Sequence, residues 1–213
     1  PVTFTLAAGT TETAPIKGFT IGSATLNPVL SASNTVTIVK ASGSATTVVA
    51  GAGTATPSSA SPDGMLKITG ADYITIDGLT FTDGNSTNPA TMEFGIALFK
   101  LSGTDGARNN TIRNCIFNMK RVNNAAGSGP MVEGAVAINV VNALSTTATT
   151  AITPTNASGS NSNNKFYSNT INGGNYGIAL NRFAATSGVG PNPNAATFLG
   201  DLGNYIGGNI STN

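Results

Sequence analysis

The chain has 213 residues, of which Gly, Thr, Asn and Ser together make 100, with 9% charged residues, no Trp and a formal net charge of +1. Thr, Ser and Asn compete for helical backbone bonds and Gly loses the most entropy, so this composition excludes a mainly helical domain. A 39% hydrophobic content at so low a net charge equally excludes a disordered one.

Counting also removes chemistries. Without His there is no Ser-His-Asp or Cys-His nucleophile system and no imidazole-bound zinc, and the single Cys115 forms no internal disulfide. Ten Lys and Arg against nine Asp and Glu, with no basic run, give no nucleic-acid footprint. No apolar stretch approaches the roughly 20 residues of a membrane-spanning helix, so no membrane insertion is expected.

In chain order, Val2–Leu6, Phe19–Ile21, residues 35–39 and residues 46–49 alternate apolar and polar side chains as half-buried strands do, and residues 51–62 are a Gly/Ala/Thr/Ser/Pro connector. Residues 1–64 therefore read as N-terminal coils in weaker register. Residues 65–213 hold four passes of one unit, the whole forming one structural domain. The unit opens with small and aliphatic residues, three times led by glycine: Leu66-Lys67-Ile68, Gly95-Ile96-Ala97-Leu98, Gly134-Ala135-Val136-Ala137-Ile138 and Gly177-Ile178-Ala179-Leu180. A second signature follows each time. It reads Asp72-Tyr73-Ile74-Thr75-Ile76-Asp77-Gly78-Leu79-Thr80-Phe81, then Asn109-Asn110-Thr111-Ile112-Arg113-Asn114-Cys115-Ile116-Phe117, and it returns at residues 163–171 and 203–211.

Aligned on this signature, Ile76, Ile112, Phe166 and Ile206 form one apolar column, and Phe81, Phe117, Ile171 and Ser211 another. Between them Gly78, Asn114, Ser168 and Gly208 mark a bend, since Gly and Asn most readily accept positive φ, with Ser168 the poorer fit. Short strands separated by such bends stack each coil on the next, about 4.8 Å apart, with the inward columns as a continuous core. The expectation is an all-β, right-handed parallel β-helix of five to six coils with long loop insertions at its corners. The chain opens at Pro1 and stops in mid-pattern at Asn213, so it reads as part of a longer polypeptide, with further coils expected after it.

The run from Val2 to Thr10, the later Thr35-Val36-Thr37-Ile38 and the run from Leu66 to Phe81 resemble the right-handed β-helix repeat regions of large secreted surface proteins of Bacteroidota. The Asn-Asn coils at 109–117 and 163–171 are similar to the same group, whose fold is like that of pectate lyases. The resemblance implies export to the cell surface, commonly by the type IX route, and membership of a long adhesin-like protein. The partners it implies are other domains of the same polypeptide, surface glycans and the outer-membrane export machinery. A β-helix hosts lyases, adhesins and passive stalks alike, so activity does not follow from the fold.

Candidate sites are sparse. Asp77 and Arg113 share an outward column that continues as Tyr167 and Gly207, which gives an exposed cross-coil ion pair and no ladder of catalytic carboxylates. Asp83-Gly84-Asn85 and the run from Gly200 to Asn204 supply one carboxylate each, too few for calcium, and read as Asx turns. No metal or cofactor is expected. Glu93 and Glu133 read as solvated edge charges, the alternative being a paired-carboxylate hydrolase site. Asn169 and Asn209 share a column with Leu79 and Cys115 and suggest a structural asparagine ladder, with Cys115 a buried small hydrophobe. Thr80 aligns with Ile116, Thr170 and Ile210, so no continuous Thr file, as an ice-binding face would need, is expected.

The inserts at 142–162 and 184–203 leave one corner of the coil and are the best places for recognition. Tyr167, Arg182, Asn156 and Asn192 are the binding candidates, and Tyr73, Tyr176 and Tyr205 are further aromatic platforms for a sugar. Three functions stand open: a noncatalytic surface module displaying loops, a carbohydrate-binding or polysaccharide lyase or hydrolase domain, and a building block of an extracellular fibre.

Overall fold

Along most of the short strands apolar residues alternate with Thr, Asn or charged residues, so one set of side chains turns inward and the other faces out, whereas Gly64–Thr69, Phe94–Lys100 and nearly all of Val136–Leu144 are buried on both faces. The structure, a computed structural model, describes residues 1–43, 46–51, 61–84, 92–120, 135–148, 150–181 and 200–208. Within them the strands run β1 Val2–Leu6, β2 Thr11–Thr13, β3 Phe19–Ile21, β4 Val36–Lys40, β5 Val48–Gly51, β6 Gly64–Thr69, β7 Ile74–Asp77 and β8 Thr80–Asp83. They continue as β9 Phe94–Lys100, β10 Thr111–Arg113, β11 Ile116–Met119, β12 Val136–Leu144, β13 Lys165–Tyr167, β14 Thr170–Gly173, β15 Tyr176–Asn181 and β16 Tyr205–Gly207.

Every third strand belongs to the same sheet. The first sheet is β1-β4-β7-β10-β13-β16, the second β2-β5-β8-β11-β14 and the third β3-β6-β9-β12-β15. All these strand pairs are parallel. The chain is a parallel β-helix of five three-stranded coils, with β16 beginning a sixth.

The inward column expected at Ile76, Ile112, Phe166 and Ile206 is present and extends through the N-terminal coils as Phe4 and Ile38. Ile76, Ile112 and Phe166 are buried, whereas Phe4 and Ile206, at the two ends of the stack, are half exposed. A second file, Glu12, Val49, Phe81, Phe117 and Ile171, lines the second sheet, where the rings of Phe81 and Phe117 stack 5.1 Å apart. The third sheet contributes Phe19, Leu66, Ile96, Ile138 and Ile178, and beside them Ile21, Ile68, Leu98, Val140 and Leu180. Each fully buried aliphatic or aromatic side chain in these files is worth about 1.5–3 kcal/mol over exposure.

Two details depart from the sequence reading. The register sets Ala137, not Gly134, opposite Gly95. A Cβ on Gly95 would lie 2.9 Å from a ring carbon of Phe117 and 2.7 Å from the Ala137 carbonyl, so the glycine there makes room for the larger residue of the neighbouring file. The second is a continuous Thr file, which the sequence reading did not expect. Thr3, Thr37, Thr75 and Thr111 stack on the outer face of the first sheet before the file passes to Lys165. It is one file wide, because the adjacent outward column is Thr5, Val39, Asp77, Arg113, Tyr167 and Gly207.

The bend between first and second sheets is left-handed at Gly78 (φ 75°), Asn114 (φ 54°) and Ser168 (φ 55°). A second left-handed column stands just before the first-sheet strands at Tyr73, Asn109, Asn163 and Gly203, with φ between 56° and 66°. For Tyr73 and Ser168 that conformation costs on the order of 1 kcal/mol, which the surrounding stack has to offset.

Next to this second column runs a ladder of asparagines. Asn110 Oδ1 accepts from the Ile74 N–H (2.8 Å) while its Nδ2 donates to the Ala71 carbonyl (3.0 Å). Asn164 repeats both bonds one coil on, to the Asn110 N–H (3.0 Å) and the Ala107 carbonyl (3.0 Å). Asn204 repeats them again, to the Asn164 N–H (2.9 Å) and the Asn161 carbonyl (2.9 Å), and the Asn164 amide also donates to Asn204 Oδ1. Asn110 and Asn164 are fully buried, and each satisfies a donor and an acceptor that the bend takes out of the sheet. Replacing Asn110 by Ala leaves the Ile74 N–H and Ala71 carbonyl unpaired in the interior. The expected loss is about 2–4 kcal/mol, read from the midpoint of chemical denaturation.

Candidate functional site

The outer face of the first sheet carries the richest array of functional groups. The Arg113 guanidinium reaches down one coil to Asp77, with Nε and Nη2 each 2.8 Å from Oδ2, and up one coil to the Tyr167 hydroxyl, 3.1 Å from Nη1. The Tyr167 hydroxyl and the Asp77 carboxylate hold the guanidinium above its ordinary range. Asp77 Oδ1 accepts from Asn114 Nδ2 at 2.8 Å, so both its oxygens are engaged. This is the cross-coil ion pair implied by the shared column. Lys165, two residues before Tyr167, points to the same exposed side, and Tyr205 follows it in the file. The strip offers a cation and two phenols to a ligand lying across the coils. Because the Arg113 side chain is 40% exposed, water screens its pair. Arg113→Ala is expected to lower stability by less than about 1 kcal/mol, and a denaturation curve beside that of Asn110→Ala checks the contrast.

A second group of ionisable side chains lies where β6 and β9 enter the third sheet. Glu93 is not the solvated edge charge expected from sequence: it is 1% exposed. It directly precedes β9, its carboxylate accepts from the Asp63 N–H, and its Oε1 has no partner. Burial pushes the Glu93 carboxyl up to about 8. Lys17 Nζ donates to Asp63 Oδ1 and to the Ser61 carbonyl, both at 2.6 Å. Lys67 is buried nearby and is pushed down by burial and by Lys17. Glu133, the partner in the paired-carboxylate alternative, lies outside the described residues.

Between the ordinary carboxyl value of 4.5 and about 8, folded Glu93 keeps a proton that the unfolded chain has released. Stability is therefore fully present at low pH and is lost as pH rises through this window. Denaturation midpoints measured from pH 5 to 8.5 are expected to fall for the wild type, and Glu93→Gln is expected to remove most of that fall.

The remaining sequence candidates take structural roles. Cys115 is buried with its thiol pushed up to about 12, chiefly by burial, which leaves it protonated and unreactive. Asn169 bonds the backbone of the coil beneath, accepting from the Cys115 N–H at 3.0 Å and donating to the Ile112 carbonyl at 2.9 Å. Leu79 is buried in the core. Asn156 caps the one-turn helix at 157–159, accepting from the Gly159 N–H, and among the described residues no hydrogen bond joins it to Tyr167. Arg182, Asn192 and Asn209 lie outside the described residues, as does Asn85. Asp201 accepts from the Asn161 N–H at 2.6 Å and faces Lys100, which leaves little of it for a cation. Among the described residues no three His, Cys, Asp or Glu side chains group to hold a metal, and no helix is long and apolar enough to cross a membrane.

The insert at 142–162 is docked on the solenoid. Gly106 donates to the Ser158 carbonyl and Thr155 to the Gly103 carbonyl, both at 2.8 Å. Ala148 is buried with Phe94, Ala97, Phe99, Val141 and Ala143 in an apolar cluster separate from the main core. Lys100, fully buried and pushed down by desolvation, donates to the Gly159 carbonyl and lies 3.4 Å from Asp201. Sequence reasoning missed Lys100 and the 110–164–204 ladder, although the recurring Asn at 110, 164 and 204 was a visible signal for the latter. Comparison with family models, with curated proteins and with solved structures gives no match.

Proposed function

We propose that the chain is a noncatalytic structural and adhesion module, a rigid segment of a larger cell-surface or secreted protein that displays loops for binding. One observation carries this reading: among the described residues, four aspartates are committed to the scaffold and Glu93 is sealed in the interior. Asp77 is held by Arg113 and Asn114, Asp72 by Arg108, Asp63 by Lys17, and Asp201 by Asn161 and Lys100. A carboxylate whose oxygens are already engaged by a cation or an amide is not placed to take a proton from a substrate, as a lyase requires. The extracellular setting and the partners named above belong to this reading through the resemblance of the coil signature.

A second reading, a carbohydrate-binding face, is favoured by the grouping of Lys165, Tyr167 and Tyr205 on one exposed strip. A glycan array and a uronate-lyase absorbance assay separate the readings. The expected result is no absorbance change with any polyuronate. Glycan retention lost in Tyr167→Ala would move the weight to the second reading, and turnover lost in Asp77→Ala or Arg113→Ala would replace both.

A further inference from the structure

The corner where the chain enters the third sheet brings together ionisable side chains from three successive coils. Lys17 stands two residues before β3, and Asp63 and Glu93 stand directly before β6 and β9. Lys17 and Asp63 are 46 residues apart in the chain, yet Lys17 Nζ lies 2.6 Å from Asp63 Oδ1, with the Ser61 carbonyl, also at 2.6 Å, fixing its approach. The Lys17 stem is half exposed, but the Asp63 side chain is only 3% exposed. Glu93 Oε2 accepts from the N–H of the same Asp63 that Lys17 faces, while the buried Oε1 has no partner. The inner side of this corner is apolar. Met65, Met92 and Phe94 are fully buried there, and the Phe94 ring sits so close to Gly64 that a Cβ would overlap it.

An exposed ion pair needs none of this arrangement. Sinking the carboxylate disfavours the separated charges and favours the neutral amine and acid, which are the forms that condense. Groups already held in contact also react as if at an effective molarity of about 10⁵ M or more. We propose that Lys17 and Asp63 condense to an internal amide cross-link between the first two coils, with Glu93 as the proton donor and acceptor of the step. The Lys17 ammonium passes a proton to the Asp63 carboxylate, and the neutral amine attacks Cγ. Glu93 gives its proton to the departing hydroxyl and takes one back from the nitrogen. One C–N bond forms, one C–O bond breaks and one water leaves, with nothing oxidised or reduced. Burial keeps the Glu93 carboxyl protonated up to about 8, so the acid is available at neutral pH, and Oε1 is free to carry its proton. The N–H left on the product retains the Ser61 carbonyl as its acceptor.

The inference goes beyond the display reading, and neither the turnover nor the glycan result bears on it. Intact mass spectrometry with tryptic mapping, sampled in time after cell-free synthesis, tests it on the wild type, Lys17→Arg and Glu93→Gln, with circular dichroism confirming strand content. Arg keeps a cation on the half-exposed stem and Gln keeps an acceptor for the Asp63 N–H, so folding is retained. The expected wild type is lighter than its sequence by one water, with residues 1–40 joined to residues 41–67 and no cleavage after Lys17. Lys17→Arg is expected at full mass, and Glu93→Gln is expected to link about a hundredfold more slowly. A wild type that stays at full mass would overturn the proposal. A lost water that joins no second peptide and survives Lys17→Arg, the mark of a cyclic imide at Asp63-Gly64, would do the same, as would a Glu93→Gln chain that links as fast as the wild type.

Discussion

Hydrogen bonding from each coil to the next is the constraint on which the rest of this molecule depends. In the strands the ladder is ordinary parallel pairing, but three sharp corners per coil take backbone groups out of it. An unpaired buried donor or acceptor costs about 1–3 kcal/mol, so a corner repeated in every coil is tolerable only with a repeated remedy. Asn110, Asn164 and Asn204 are that remedy at the entrance to the first sheet, each amide serving one N–H and one carbonyl of the coil beneath. Asn169 does the same after the next bend. The high Asn content of the chain is thus a consequence of its corners. The same interlocking draws Asp72, Asp77, Arg108 and Arg113 into cross-coil contacts and away from solution chemistry.

Much of this was legible in the sequence, for a physical reason. Side chains that pile up in one file repeat in one column of an alignment, so Ile76, Ile112, Phe166 and Ile206 could be read before any coordinates. The first coils were harder. Thr11–Thr13 is a strand with no apolar residue to mark it, and its Glu12 takes a place in the file of Val49 and Phe81. Without that strand the N-terminal coils could not be set in register, and the Thr file from Thr3 to Thr111 went unseen. A ladder was expected at Asn169 and Asn209: Asn169 makes cross-coil amide bonds and Asn209 lies outside the described residues, while a ladder not foreseen runs through Asn110, Asn164 and Asn204. Both columns contain Asn, and composition does not say which amide faces an orphaned backbone group.

The buried charges were not legible at all. Glu93 and Lys100 look like surface residues in a polar sequence, and only the packing of neighbouring segments shows otherwise. Glu93 is sealed at the entry to β9, and Lys100 is covered by the insert whose Gly159 carbonyl it binds. Burial of a group depends on what lies over it, which is a property of distant sequence. The function-bearing candidates fared alike: Tyr167 stands on an open face beside Lys165, while Asn156 is occupied with capping a turn.

The bend between the first and second sheets has a consequence for how this chain can change. It is two residues long in three successive coils, 78–79, 114–115 and 168–169, although the coils themselves advance by 36, 54 and 40 residues. In these three coils the variation in length is absorbed at the other two corners, and that edge acts as a spine of fixed pitch, whereas in the first two coils the same bend spans residues 7–10 and 41–47. Foreign peptides grafted at the two variable edges of these coils would travel as cargo without disturbing the winding, whereas a residue added to the two-residue bends at 78–79, 114–115 or 168–169 would displace the left-handed residue that turns the chain there.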